Sequence, residues 1–288
     1  SIADHRLAIA STDVEGVARA VAAGLGVAGV SGTTTAPANW VAAVVADLKA
    51  APGASVVIVG DAQPPAVHAI AHAINAALGN VGKTVLYSDP VEALTVDGIG
   101  SLKALIADMN AGRVSTLVML GVNPIYSAPA DLGFASALGK VALKIHHGSY
   151  DDETAALCQW HVHEASSLEA WGDARAFDGT ASIVQPLIAP LYDGRSAIEV
   201  MATLLGRADT TAYNLIRETW MAWHGSANIA QPFDDFWRKS VHDGLIAGTA
   251  FAAQTPALQP TLALPAARAA ASGMEVNFRP DPTVPYSA

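Results

Sequence analysis

The segment Ser115-Thr-Leu-Val-Met-Leu120 passes without a break into Gly121-Val-Asn-Pro-Ile-Tyr-Ser-Ala-Pro129. A short, continuous apolar run ended by a glycine reads as a strand buried on both faces. Few architectures accept such a strand, and the usual one is a parallel sheet with helices on both sides. In open sheets of that kind, ligands gather outside the carboxyl ends of the strands. The loop beginning at Gly121 therefore stands where a nucleotide-like group would bind. Gly121 lacks the Cβ that would hold a phosphate or base edge away, Asn123 offers a donor and an acceptor, and Pro124 stiffens the turn. An ordinary tight strand-to-helix connection needs the same residues, and spacing alone does not separate the two readings.

The rest of the chain supports the sheet. Thr12-Asp-Val-Glu15 has the form of a capping box, opening a helix that ends near Gly24. Pro37 suits the first turn of a helix over 39–50, and Pro64-Pro65 a helix through Ala77. Ser55-Val-Val-Ile-Val59 and Thr84-Val-Leu-Tyr87 read as strands, as do 141–145, 159–164 and 182–185. Helices are expected over 102–110, 130–138, 196–205, 211–223 and 233–243, with Trp220, Trp223 and Trp237 packing the last of these onto the body. The expectation is a doubly wound, mainly parallel α/β fold over residues 1–245, in which Gly60, Gly121 and His146 line one crevice. Residues 246–288, rich in Ala and Pro and including Arg279-Pro-Asp-Pro-Thr-Val-Pro285, suit an extended tail or linker.

Composition narrows the function. Sixteen basic against 26 acidic residues give a net charge of −10, with no basic cluster, so nucleic acid is not an expected partner. No apolar run is long enough to span a bilayer, and the first residues lack the layout of a signal peptide. Cys158 is the single cysteine, too few for an intrachain disulfide or for the chain alone to hold an iron–sulfur cluster.

Several motifs are decoys by context. Gly24-Leu-Gly-Val-Ala-Gly29 has the dinucleotide spacing but follows a helix, whereas the fingerprint needs a strand before it. Gly82-Lys-Thr84 lies between a helix and a strand, the reverse of a phosphate-binding loop. His68 and His72 have metal-ligand spacing without the accompanying glutamate. His146, His147, His161 and His163 sit at or near strand ends and could converge at the carboxyl edge, or could be separate hydrogen-bonded histidines.

The order Gly121–Pro124, Glu153-Thr154-Ala155, Cys158–His163, Glu169–Gly172 and Gln185 resembles the molybdopterin oxidoreductase superfamily. Ala3-Asp-His-Arg-Leu7, Glu169-Ala-Trp-Gly-Asp-Ala-Arg175, Asp178-Gly-Thr180, Ser182–Tyr192 and Met274–Pro282 are similar to signatures of the iron–sulfur, molybdopterin-oxidoreductase-like subunit of alternative complex III, a quinol-oxidising membrane complex. The resemblance implies a fragment of an electron-transfer subunit on the periplasmic side of the membrane, with other subunits of the complex as partners and no membrane span of its own. Iron–sulfur clusters would lie only in regions outside this chain. In the alternative complex III proteins the molybdopterin-like region is a scaffold without cofactor, so the implied role is non-catalytic. The alternative is a cofactor-cradling fragment of a working enzyme, in which Gly121, Asn123, Ser127, Thr154 and Gln159 hold the guanosine end of a molybdopterin guanine dinucleotide. Gln159 stands where the superfamily pattern has an acidic residue and His163 where it has proline, and both departures favour the scaffold.

Overall fold

A computed structural model describes residues 3–92, 94, 97–259, 264–265 and 273–278. The stretch Arg279–Pro285, expected to be irregular, lies outside these residues, as does part of the Met274–Pro282 signature. The chain divides into two compact units, one formed by Ser1–Asp89 with Ala252–Pro280 and the other built on Pro90–Phe251. This differs from the expected single body over 1–245 with a trailing tail. The physical reason is that the first three helices close a core of their own, which the later chain returns to complete.

In the first unit, α1 (Val14–Gly24), α2 (Ala38–Ala50) and α3 (Pro65–Ala77) surround Val21, Ala22, Val30, Ile70, Ile74 and Leu78, joined by Val57 and Leu264. The expected capping box does not form. Glu15 is buried and turned to Arg19, whose Nε and Nη2 donate to one carboxylate oxygen at 2.9 and 2.7 Å. The helix start is served from far along the chain, where Glu275 accepts the amide hydrogens of Ser11 and Thr12 at 2.8 and 3.1 Å. Residues 55–59 and 84–87, expected to be strands, form no ladder; isolated bridges at Val85 and Tyr87 are all that remains of the second. The Val57 amide and carbonyl pair instead with the carboxamide of Asn75, both at 2.9 Å, so a side chain occupies the place of a neighbouring strand.

The second unit has the expected α/β character. After α4 (Gly98–Asn110), β1 (Thr116–Leu120), α5 (Pro124–Ser127), α6 (Phe134–Leu138), β2 (Leu143–Gly148) and β3 (Trp160–His163) build a three-stranded parallel sheet in the order β1-β2-β3. Leu117 and Met119 of β1 face Ile106 and Met109 of α4 and Phe134 and Leu138 of α6 in one apolar cluster. On the opposite face, Ile145 and Val162 look toward α7 (Ala197–Leu204). Helices thus flank both sides, as a parallel sheet requires.

Residues 182–185, expected to be a strand, contribute one to a second sheet. β4 (Gly172–Arg175) and β5 (Ala181–Val184) form a hairpin, and β6 (Leu245–Ile246) completes a separate antiparallel sheet. The turn between β4 and β5 is too short for a crossover: Gly179 takes φ +88°, Asp178 accepts the Thr180 amide hydrogen, and antiparallel pairing is the only outcome. α8 (Ala212–Ser226) and α9 (Phe233–Asp243) cover this sheet. Trp220 and Trp237 are buried there with Ile183, Ile216 and Ile246, and Trp220 Nε1 donates to Asp173 at 2.9 Å.

Candidate functional site

The carboxyl ends of β1, β2 and β3 form the edge at which the sequence places its site. The register pairs Leu120 with His147 and Gly148 with His163, so Gly121, the loop after Gly148 and Glu164 emerge together. Gly60, also expected on this edge, follows a segment that makes no strand and belongs to the first unit. Gly121 adopts φ +61°, where L-residues are strained, and its amide donates to His147 O at 2.8 Å, extending the ladder by one bond.

Asn123 is buried at 2% exposure and organises the loop. Its Oδ1 accepts the Thr154 hydroxyl hydrogen at 2.6 Å and the Tyr126 amide hydrogen at 3.3 Å, capping α5. Its Nδ2 donates to Glu153 Oε2 at 2.7 Å, and this bond holds the Glu153 carboxyl below its usual titration range. Thr154, fully buried, accepts the Ile125 amide hydrogen at 3.1 Å. Ser127 Oγ donates to Asn123 O at 2.8 Å. Asp152 Oδ1 accepts the amide hydrogens of Thr154 and Ala155 at 3.0 and 2.9 Å. Of the five candidate residues, Gly121, Asn123, Ser127 and Thr154 come together in one loop pair. Gln159 stands apart at the start of β3, where its Oε1 accepts the Lys144 amide hydrogen at 2.8 Å.

Two of the four histidines converge. His146 Nε2 lies 3.1 Å from Val122 O, and its Nδ1 lies 3.0 Å from His161 Nδ1. A carbonyl only accepts, so neutral His146 carries its proton on Nε2, and Nδ1 receives the hydrogen of His161 Nδ1. Burial, reinforced by His146, lowers the His161 pKa below the ordinary histidine value. His147 points to the other face of the sheet and donates from Nε2 to Arg195 O at 2.7 Å, leaving its buried Nδ1 without a partner. His163 packs edge-on against Tyr192. In the first unit His72 bonds Tyr87. Among the described residues no three His, Cys, Asp or Glu side chains gather as a metal site. Cys158 is half-buried with its Sγ 3.2 Å from Thr154 O, and burial raises its pKa.

Glu164 joins the site without any motif to announce it. Its carboxylate lies against Gly121, 3.7 Å from where a Cβ would stand, and within 3.4 Å of Ser149 Oγ. The readable signal is position: Glu164 directly follows β3, as Gly121 directly follows β1. The edge is therefore acidic, with Asp151, Asp152, Glu153 and Glu164 close to the loop and no Lys or Arg within 121–129.

No family model matches the chain. It is 26% identical over 184 residues to the menaquinone reductase, molybdopterin-binding-like subunit of Nitratidesulfovibrio vulgaris strain Hildenborough. The match covers 61% of this chain and 22% of that protein, so the chain spans a small part of its relative's length. The likeness supports a relationship between this chain and the molybdopterin oxidoreductases.

Proposed function

We propose that this chain is a non-catalytic scaffold domain of an electron-transfer subunit, within a quinone-linked complex of the alternative complex III kind, and that it works on the periplasmic side of the membrane alongside other subunits. The observation that carries the reading is the closed hydrogen-bond network of Asn123, Thr154 and Glu153. The polar atoms that would meet a guanosine already satisfy one another. The residues do not fit the diphosphate of a molybdopterin guanine dinucleotide either. Glu153 is held ionised by Asn123, three further carboxylates stand close by, and the loop brings no basic side chain against them. The relative's name, a molybdopterin-binding-like subunit of a menaquinone reductase, supports the quinone link and the expectation of partner subunits. Among the described residues no helix is long and apolar enough to cross a membrane.

One observation favours the alternative, a cofactor-cradling fragment. Glu164 brings a carboxylate to Gly121, and a carboxylate can accept hydrogen bonds from a guanine edge. Calorimetric titration with guanosine diphosphate separates the two. The scaffold reading expects no saturable heat at sub-millimolar ligand. A micromolar dissociation constant that Asn123→Ala and Glu164→Gln both abolish would sink it, as would pterin recovered in stoichiometric amount with the protein from its native host.

A further inference from the structure

On the face of the parallel sheet opposite Met119 and His146, a cavity of about 420 Å³ opens between β2, β3 and α7. That volume lies in the range of about 300–1,000 Å³ typical of small-molecule pockets. Its lining is mixed, with the aliphatic Ile145 and Val162 from the sheet and Val200 and Leu204 from the helix beside Thr203, Thr210 and Thr211. Arg195, an exposed residue, also lines it. We propose that this cavity binds a small amphipathic carboxylate, with its head on the Arg195 guanidinium and its tail between the sheet and α7.

Arg195 differs from its neighbours in what it leaves unbound. Elsewhere in the second unit the described arginines are engaged. Arg113, Arg207, Arg217 and Arg238 each meet a carboxylate, and Arg175 donates to two carbonyls and lies over Phe251. Arg195 alone among the described arginines of this unit has a guanidinium with no acidic or hydrogen-bonding partner. Its backbone is nonetheless held firmly: its amide donates to His163 O at 2.9 Å, and its carbonyl accepts from Ala165 N at 3.0 Å and from His147 Nε2 at 2.7 Å. The Cα is fixed, while the exposed guanidinium is left without a partner and free to meet a ligand, at the cost of ordering its side chain.

Glu199, which also lines the cavity, has both oxygens hydrogen-bonded to other groups while keeping its charge. Glu199 accepts from the amide and hydroxyl of Ser196 through one oxygen, and from the Ala212 amide through the other. The cavity's other acid, Asp209, comes after the carboxyl end of α7, a helix roughly 12 Å long, whereas Arg195 precedes its start. Arg195 is the single cation among the lining residues, beside Glu199 and Asp209, so an anion can pair only at its guanidinium, and the aliphatic side chains take a hydrocarbon body behind it. A guanidinium pairs bidentately with a carboxylate, which gives the head group its geometry.

The test is titration of the intact chain with octanoate, followed by calorimetry and by amide chemical shifts, with acetate and octan-1-ol as controls. Octanoate is expected to saturate one site below about 1 mM and to shift residues of β2, β3 and α7, while neither control saturates. Arg195→Met keeps the backbone bonds and is expected to weaken binding about tenfold or more. Asp209→Asn is expected to tighten it. Ala208→Trp, placed on an exposed link that lines the cavity, is expected to abolish it while circular dichroism stays unchanged. Absence of saturation by octanoate, octan-1-ol binding as tightly as octanoate, or octanoate binding indifferent to both Arg195→Met and Ala208→Trp would each overturn the proposal.

Discussion

Replacing Asn123 by alanine tests whether the Gly121 loop is held by its own side chains. The carboxamide caps α5, and losing such a cap costs about 1 kcal/mol. The Thr154 hydroxyl, fully buried, would lose the Asn123 oxygen to which it donates, and an orphaned buried hydroxyl costs about 1–3 kcal/mol. Together Asn123→Ala should destabilise the second unit by about 2–4 kcal/mol. Thr154→Val removes the same Asn123 bond and leaves the Ile125 amide unpaired, for about 1–3 kcal/mol. Both changes delete the 2.6 Å bond between these side chains, so the double variant should cost less than the sum by about 1 kcal/mol. Urea denaturation followed by tryptophan fluorescence suits the measurement, because Trp160, Trp171, Trp220, Trp223 and Trp237 all lie in this unit and Trp40 alone in the other. Hydrogen exchange at Ile125 and Tyr126 gives the local readout. Strict additivity, or an Asn123→Ala cost under about 0.5 kcal/mol, would refute the claim that these groups are bound to one another.

Acidification should destabilise the second unit through His161. Its folded-state pKa lies below the ordinary value of about 6.5, so the unfolded chain binds more protons in the interval between the two. Stability from this group is therefore complete above about pH 6.5 and is lost as pH falls through the folded-state value; His161→Gln should flatten that part of the pH profile, and an unchanged slope would contradict the assignment. Asn75→Ala should cost the first unit about 2–4 kcal/mol and remove exchange protection at the Val57 amide, since one carboxamide satisfies both backbone groups of Val57 and also accepts from Asn80. Persistent protection at Val57 in that variant would show that another partner holds the segment.

The parts of the fold legible in the sequence were those whose signal is local. The run 115–120 needed only its apolar, β-branched character and the glycine after it, and β2, α4, α8 and α9 declared themselves in the same way. Ser55–Val59 carries an equally strong local signal and still forms no strand, because a ladder depends on a neighbour and its place is taken by Asn75. β4 was invisible as a strand: Gly-Asp-Ala-Arg has no apolar alternation, and only its hairpin with β5 makes it one. At the site, Gly121, Asn123 and Thr154 could be named from the sequence, but not that Asn123 and Thr154 bond each other across 31 positions. The pairing of His146 with His161, and the approach of Glu164 to Gly121, follow from sheet register, which no single segment encodes.

The connectivity of the two units bears on how the chain is made. The second unit is built mainly on Pro90–Phe251, whereas the first draws on chain from both before and after that stretch, with Arg19 donating to Pro265 O and Glu275 accepting from Ser11 and Thr12. During synthesis the amino-terminal helices emerge first yet lack the carboxylate that closes their start and the leucine, Leu264, that joins their core. The later-made insert can finish folding while the earlier-made part still waits, which inverts the usual order in which domains mature on the ribosome. A nascent chain arrested before residue 264 would expose α1 and α3 to chaperones and proteases, and the arrival of Leu264 and Glu275 would close the first unit.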